Sequence, residues 1–462
     1  MTQRPAPAAL NVADRALTFA DGPAQVLVTH ERWLVSRFAR SAPTQATDVD
    51  DLVVSVTAWH DGHTATATTN RSGDDDLRDT AHRAAAAARA ARAAAGVAGD
   101  HPGLPDPAPV TFTARGFDPA TAEIDPKTAG GALRTTFGVC AEHGLEAFGI
   151  WTAGEVATAL ASTTGIRLSE TVTDAHLKVV ARDSTGRSGW ATGTAVGVGA
   201  LDAAAIASRA AGKVLSGPAA ELPPGNYPVV LEAQAVGALL DYLGSMAFNG
   251  LTHVEGRGAL SGRIGSRVAA AGINLSDSPR FAGTLPRSFD FEGVPKAPVP
   301  LIQDGIAHNV VHDMRSAARA GDGTRSTGHG LPPDEAAGGP APTNLVLIGG
   351  GAADEAELAT PIERGIYVTR LWYLNAVRER DTLLTGTTRD GTFLIEDGKV
   401  TRPLRDVRFT DSVLRLLEHT EALTAGTELV SEVELYGRRF ATGVVCPSLR
   451  ASGFRVTGVT PA

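Results

Sequence analysis

The chain has 462 residues, a net charge of −9 and 43% hydrophobic residues, enough for two domains and a full core without a metal or disulfide to hold it. Its two cysteines, Cys140 and Cys446, exclude a disulfide scaffold and point to a reducing, cytoplasmic setting. No Lys/Arg run supports nucleic-acid binding, no window nears the roughly 20 apolar residues of a membrane span, and the first residues lack a signal peptide's apolar stretch.

Residues 8–19 predict a helix, and residues 25–29 and 33–37 two strands around a turn at His30-Glu-Arg32. Residues 52–59 and 63–69 alternate and are rich in β-branched residues, and Asp61-Gly62 between them predicts a hairpin. Residues 74–95 predict a helix, with acids at the start where the dipole favours them and alanines along the body. A proline-rich stretch at 101–109 separates this unit from a helix at 127–143, strands at 148–151, 155–162, 176–182 and 189–198, and an alanine-rich helix at 201–215. Residues 217–228 read as a hinge, which divides the chain into domains 1–220 and 221–462.

Beyond the hinge, residues 228–231 predict a buried strand. In the helix that follows, from Ala233 to about Ser245, Val236, Leu239, Leu240 and Leu243 share one face. Residues 287–330 read as a compact module: a turn at 290–293, a strand at 299–302, a tight turn at Gln303-Asp-Gly305, a returning strand at 306–314 and a glycine-rich loop at 321–330. A glycine turn at 349–351, a helix at 354–363, strands at 365–372 and 391–398 and a helix at 410–418 complete the reading. The expected fold class is α+β: an N-terminal α/β domain with an antiparallel sheet and helices, and a β-rich C-terminal domain, barrel-like or a sandwich.

Phosphate-loop, zincin, Cys-x-x-Cys and nucleophile-elbow motifs are missing. Gly256-Arg-Gly258 reads as a flexible loop, and His253 and Glu255 as part of a solvated one. His308 and His312 would share a helical face, but on the expected strand they stand about 13 Å apart, too far to grip one ion. Cys446 ends an apolar strand and reads as a buried structural thiol. Arg325-Ser-Thr-Gly-His329 reads as a connector or as a substrate-binding loop.

Several segments together resemble the TldD/PmbA (TldE) family, the two related subunits of a cytosolic zinc-dependent peptidase. They are Gly225-Asn-Tyr-Pro-Val-Val-Leu231, Phe289-Asp-Phe-Glu-Gly-Val-Pro295, Leu301-Ile-Gln-Asp-Gly305, Ser326-Thr-Gly328, Gly365-Ile-Tyr-Val-Thr-Arg-Leu-Trp372 and Gly391-Thr-Phe-Leu-Ile-Glu-Asp-Gly-Lys-Val400. The catalytic member of that family carries H-E-x-x-x-H on the helix after the first of these strands. Aligned there, this chain reads Ala233-Gln-Ala-Val-Gly-Ala238, so the motif positions Ala233, Gln234 and Ala238 offer no metal ligand and no general base.

The resemblance therefore implies the TldE-like subunit, with no catalytic residue, no metal and no cofactor of its own. It implies zinc in a TldD-like partner and action on unfolded or leader peptides, with a homodimer as an option when the chain is alone. Arg325, Ser326, His329, Arg370 and Trp372 are candidate peptide or interface contacts, and the edge of the 365–372 strand is a candidate for strand addition. The alternatives are a stand-alone peptide-binding scaffold for natural-product precursor maturation, without proteolysis, and a hydrolase built on Cys446 with a distant histidine.

Overall fold

The computed structural model describes residues 5–111, 115–431 and 438–460. The N-terminal half runs through α1 (Pro5–Leu17), β1 (Ala24–Ala39), β2 (Ala42–His60), β3 (His63–Thr69), α2 (Asp74–Ala95), α3 (Pro119–Ala122), α4 (Pro126–Glu142), β4 (Glu146–Ser162), β5 (Arg167–Arg182), β6 (Ser188–Ala195) and α5 (Ala203–Gly212). Its six strands form one antiparallel sheet in the order β3-β2-β1-β4-β5-β6. Period-two alternation sorts β1 into two faces. Val26 and Val28 meet the buried alanines of α1 and α2. Gln25, Glu31 and Trp33, on the opposite face, contact the C-terminal half through Phe291 and Arg439.

The C-terminal half runs through β7 (Gly225–Leu231), α6 (Ala233–Ala247), α7 (Gly250–Val254), β8 (Leu275–Asp277), β9 (Val299–Gln303), β10 (Ile306–Ala307), α8 (Met314–Ala320), β11 (Asn344–Leu347), α9 (Glu355–Ala359) and β12 (Arg364–Arg378). It continues with β13 (Leu383–Glu396), β14 (Lys399–Pro403), β15 (Val407–Ser412), α10 (Val413–Glu418), β16 (Thr420–Leu423), β17 (Glu428–Val430), β18 (Gly443–Cys446) and β19 (Leu449–Val459). One sheet has the order β10-β9-β8-β11-β18-β17. In the other, β12-β7-β19-β15-β13 closes on itself because β12 also pairs with β13. The result is barrel-like, and an α+β class describes the whole chain. Val236, Leu239, Leu240 and Leu243 of α6 join the largest apolar core, with strands of both sheets. No helix among the described residues is long and apolar enough to cross a membrane.

Several expected breaks are absent. His30-Glu-Arg32 is not a turn: β1 runs straight through it, paired with β2 on one side and β4 on the other. The turn falls at Arg40 and Ser41, whose φ of 51° and 55° suit a tight hairpin. The strands expected at 148–151 and 155–162 are one strand, because Gly154 packs under Trp33 and lets β4 continue. The returning strand at 306–314 is only two residues long, and Met314 begins a helix capped by Asp313. Thr410 belongs to β15, and the helix begins at Val413. The 365–372 segment is not a free edge over its first half, since Ile366–Val368 pair with β7 and β13 together.

Candidate functional site

The first turn of α6 is tied down on every side. Its N-cap residue, Glu232, sends its carboxylate to Lys213 Nζ at 2.6 Å and accepts the Tyr367 hydroxyl at 2.7 Å. The Ala233 amide donates to Ser448 Oγ at 3.0 Å, and the Ala233 carbonyl accepts the Cys446 thiol at 3.2 Å. Ala233 and Gln234 are both buried. One turn on, Gly237 lets the helix approach β17: a Cβ there would lie 2.6 Å from the Val430 side chain. The stripe left uncovered by the core is Ala238, Asp241, Tyr242 and Ser245, at helical spacing.

Ala238, Asp241 and Tyr242 of this stripe form one wall of a cavity of about 660 Å³ at the seam between the two halves. Leu371, Trp372, Tyr373 and Leu374 of β12 form another wall, and Tyr242 ties the two by donating to the Leu374 carbonyl at 2.7 Å. Asp174 of β5 and Arg439 meet at the lining in a two-pronged contact, 2.7 Å at each prong. Arg438, also lining, reaches Asp334 at 2.6 Å and Glu335. Arg439 also donates its amide to Glu31, whose pKa is raised by burial against the opposing pull of that N–H.

Guanidinium groups stack on aromatic rings along this seam. Arg370 lies over Trp190 of β6 at 5.1 Å and over Trp372 at 4.8 Å, and Arg389 lies over Trp372 at 5.1 Å. Arg287 lies over Phe291 at 5.4 Å and Phe440 at 4.8 Å, and Arg438 over Phe440 at 5.7 Å. The described residues that line the cavity include no histidine, cysteine or lysine. What they offer is recognition: an apolar and aromatic wall with charged groups at fixed places.

Of the residues singled out in the sequence, Ala238 and Trp372 meet in this cavity. Arg370 does not reach it. It is 7% exposed and grips Asp390 with two bonds of 3.0 and 2.5 Å, while Asp390 also accepts the Ser188 hydroxyl. It is a buried residue of the seam. His329 is likewise withdrawn: it is buried, with Nε2 3.1 Å from Asp277 Oδ1. Burial alone would raise the Asp277 pKa, but the charges of Lys296 and His329 hold it well below the usual range. Arg325 is exposed and Ser326 bonds the His312 carbonyl at 3.2 Å, and neither lines the cavity.

His308 is exposed, whereas His312 is buried beside Ser316 Oγ at 3.2 Å, so the separation expected on a strand no longer applies. His253 lies on α7, not in a loop, and Glu255 pairs with Arg257 and Arg319. Cys446 is buried with its thiol on the Ala233 carbonyl, and burial pushes that thiol far up, which disfavours the thiolate a nucleophile needs. Asp174, Asp241, Tyr242, Asp334, Tyr373 and Arg438 were not singled out. The only sequence signals for them were Tyr373 beside Trp372 and the Arg438-Arg-Phe440 run.

Residues 224–458, just over half of the chain, match the PmbA/TldA metallopeptidase C-terminal domain, and residues 24–88 match domain 1 of the same family. The chain belongs to the TldD/PmbA family. It is 24% identical over 216 residues to a metalloprotease of Methanothermobacter thermautotrophicus and 26% identical over 247 residues to the metalloprotease TldD homolog of Haemophilus influenzae. These matches cover 44% and 51% of this chain, and the chain spans only 43% and 49% of those relatives. Its fold is that of TldE from Thermococcus kodakarensis, with a TM-score of 0.84, 20% identity and coverage of 97% of this chain and 99% of that one.

The metallopeptidase descriptions raise the question of a metal. At the three positions aligned with the family motif, this TldD/PmbA chain has two methyl groups and a carboxamide, and none of these binds zinc well. No three His, Cys, Asp or Glu side chains among the described residues gather to hold an ion. The three aligned positions therefore do not fit a zinc site.

Proposed function

We propose that this chain, with domains 1–220 and 221–462, is the partner subunit of a TldD-type zinc peptidase, itself without metal, and that it helps hold unfolded or leader peptides. The observation that carries this reading is Ala238. It lines the cavity, and in the alignment drawn from the sequence it takes the place of a motif histidine; the described lining residues include no histidine or cysteine. The catalytic zinc and the attack on the peptide bond belong, in this reading, to a TldD-like partner. The two free, buried cysteines suit a cytoplasmic setting.

The test is metal analysis and peptide cleavage by the purified chain, alone and mixed with a zinc-bearing relative. Alone, it is expected to carry no stoichiometric zinc and to cleave nothing; the mixture is expected to cleave. One zinc per chain, or cleavage by the isolated chain, overturns the proposal. Peptide binding without cleavage in every mixture would favour a stand-alone scaffold for precursor maturation.

A further inference from the structure

We infer that Tyr373 is a ligand-gripping residue and that the cavity it borders selects extended peptides carrying a cationic side chain. The inference rests on the peptide-handling reading above and adds the substrate class.

Tyr373 has φ of 55°, a left-handed conformation that costs a bulky non-glycine residue strain. The strain sits where the β12–β13 ladder loses register, between Trp372 and Asn375. Such a bulge re-aims a side chain. The Asn375 side chain donates to the Tyr373 carbonyl at 2.9 Å and holds the backbone there. The outcome is a tyrosine ring 74% exposed on the cavity rim, next to Trp372 in an edge-on contact at 5.9 Å. Two guanidinium groups already lie over Trp372, so of these two neighbouring rings Tyr373 is the one left for a ligand.

Charge decides what that ligand carries. The described lining residues carry four carboxylates, from Asp174, Asp241, Asp334 and Glu335, against the two guanidinium groups of Arg438 and Arg439. Among the described lining residues acids outnumber bases, in a partly enclosed space where charges are screened less than on an open surface. A lysine or arginine side chain satisfies both features, resting on the ring while its charge faces the acids. A glutamate side chain is repelled.

The experiment titrates the full-length chain with labelled, unstructured peptides that are identical except for lysine or glutamate at the central positions, read by fluorescence anisotropy. The lysine peptide is expected to bind about tenfold more tightly, and Asp241→Asn to narrow the gap. Tyr373→Gly is expected to weaken lysine-peptide binding about tenfold without lowering Tm, since glycine relieves the strain, while Tyr373→Phe binds like the parent. Equal affinity for the two peptides overturns the charge selection and leaves the peptide-handling reading standing. Undiminished binding by Tyr373→Gly, or a fall in its Tm, overturns the role of Tyr373. If neither peptide binds, both readings fail.

Discussion

Arg439 and Asp174 face each other across the seam between the two halves of the chain, joined by two bonds of 2.7 Å, with only 3% and 4% of their side chains exposed. Arg439 adds a bond to Thr152 Oγ1 at 2.9 Å and stacks near Trp33. The site thus depends on a buried ion pair that fastens it to the N-terminal sheet. Asp174→Ala leaves a guanidinium buried without its partner and is expected to cost about 3–5 kcal/mol in urea unfolding. A loss below about 1 kcal/mol would mean that the seam is wet.

The helix that carries the motif positions tolerates change unevenly. Ala233 is 4% exposed and packed at the tied-down first turn, whereas Ala238 faces the cavity. Ala233→His is expected to destabilise by about 1–3 kcal/mol through overpacking, and Ala238→His by about 0.5 kcal/mol or less. Thermal unfolding of the two variants side by side checks the difference. Equal costs would contradict the placement of α6.

Gly237→Ala puts a methyl group 2.6 Å from Val430. The expected cost is about 1–3 kcal/mol, because β17 must move away from the helix. Val430→Ala should recover part of that loss, and a double-mutant cycle measures the coupling.

Asp290 and Glu292 form a buried acidic pair. Burial pushes Asp290 up to about 6, and Glu292 is raised well above its ordinary value by burial and by Asp290 and Asp313. A carboxyl whose folded pKa is raised binds its proton more tightly in the folded state. Its contribution is therefore present at low pH and is lost as pH rises from the unfolded value through the folded one. Glu292→Gln keeps an acceptor for the Met314 amide, which bonds Glu292 at 2.9 Å. Relative to the parent, it is expected to gain stability steadily from pH 5 to pH 8, read as a difference in Tm. A constant difference would refute the shared burial of the pair.

Arg370→Lys keeps the charge but loses the second bond to Asp390 and the flat stack on Trp190 and Trp372. The expected cost is about 1–2 kcal/mol, measured by urea unfolding, because lysine presents a point charge where the seam is built for a plane.

Local sequence decided much of the architecture. The Asp61-Gly62 and Asp304-Gly305 turns, the α2 helix with its acidic start and the apolar face of α6 follow from backbone preference and hydrophobic period, and all are present. Where neighbours override local preference, the reading broke. The polar run His30-Glu-Arg32 looks like a turn, but strands on both sides supply its backbone bonds. His329 looks like a loop residue offered to solvent, but Asp277 draws it inside, and Lys296 holds the neighbouring Gly328 carbonyl.

The sequence alone also determined that Ala233, Gln234 and Ala238 bring no ligand, since side-chain chemistry needs no coordinates. Only the tertiary structure decided that Ala238 faces a cavity while Ala233 is packed away, that Arg370 is a seam residue, and that Tyr373 stands strained on the rim. Those outcomes arise from contacts between residues up to 408 positions apart, as Arg439 and Glu31 are. Such contacts form only when two separate sheets meet, and no local pattern encodes which side chains will face each other there.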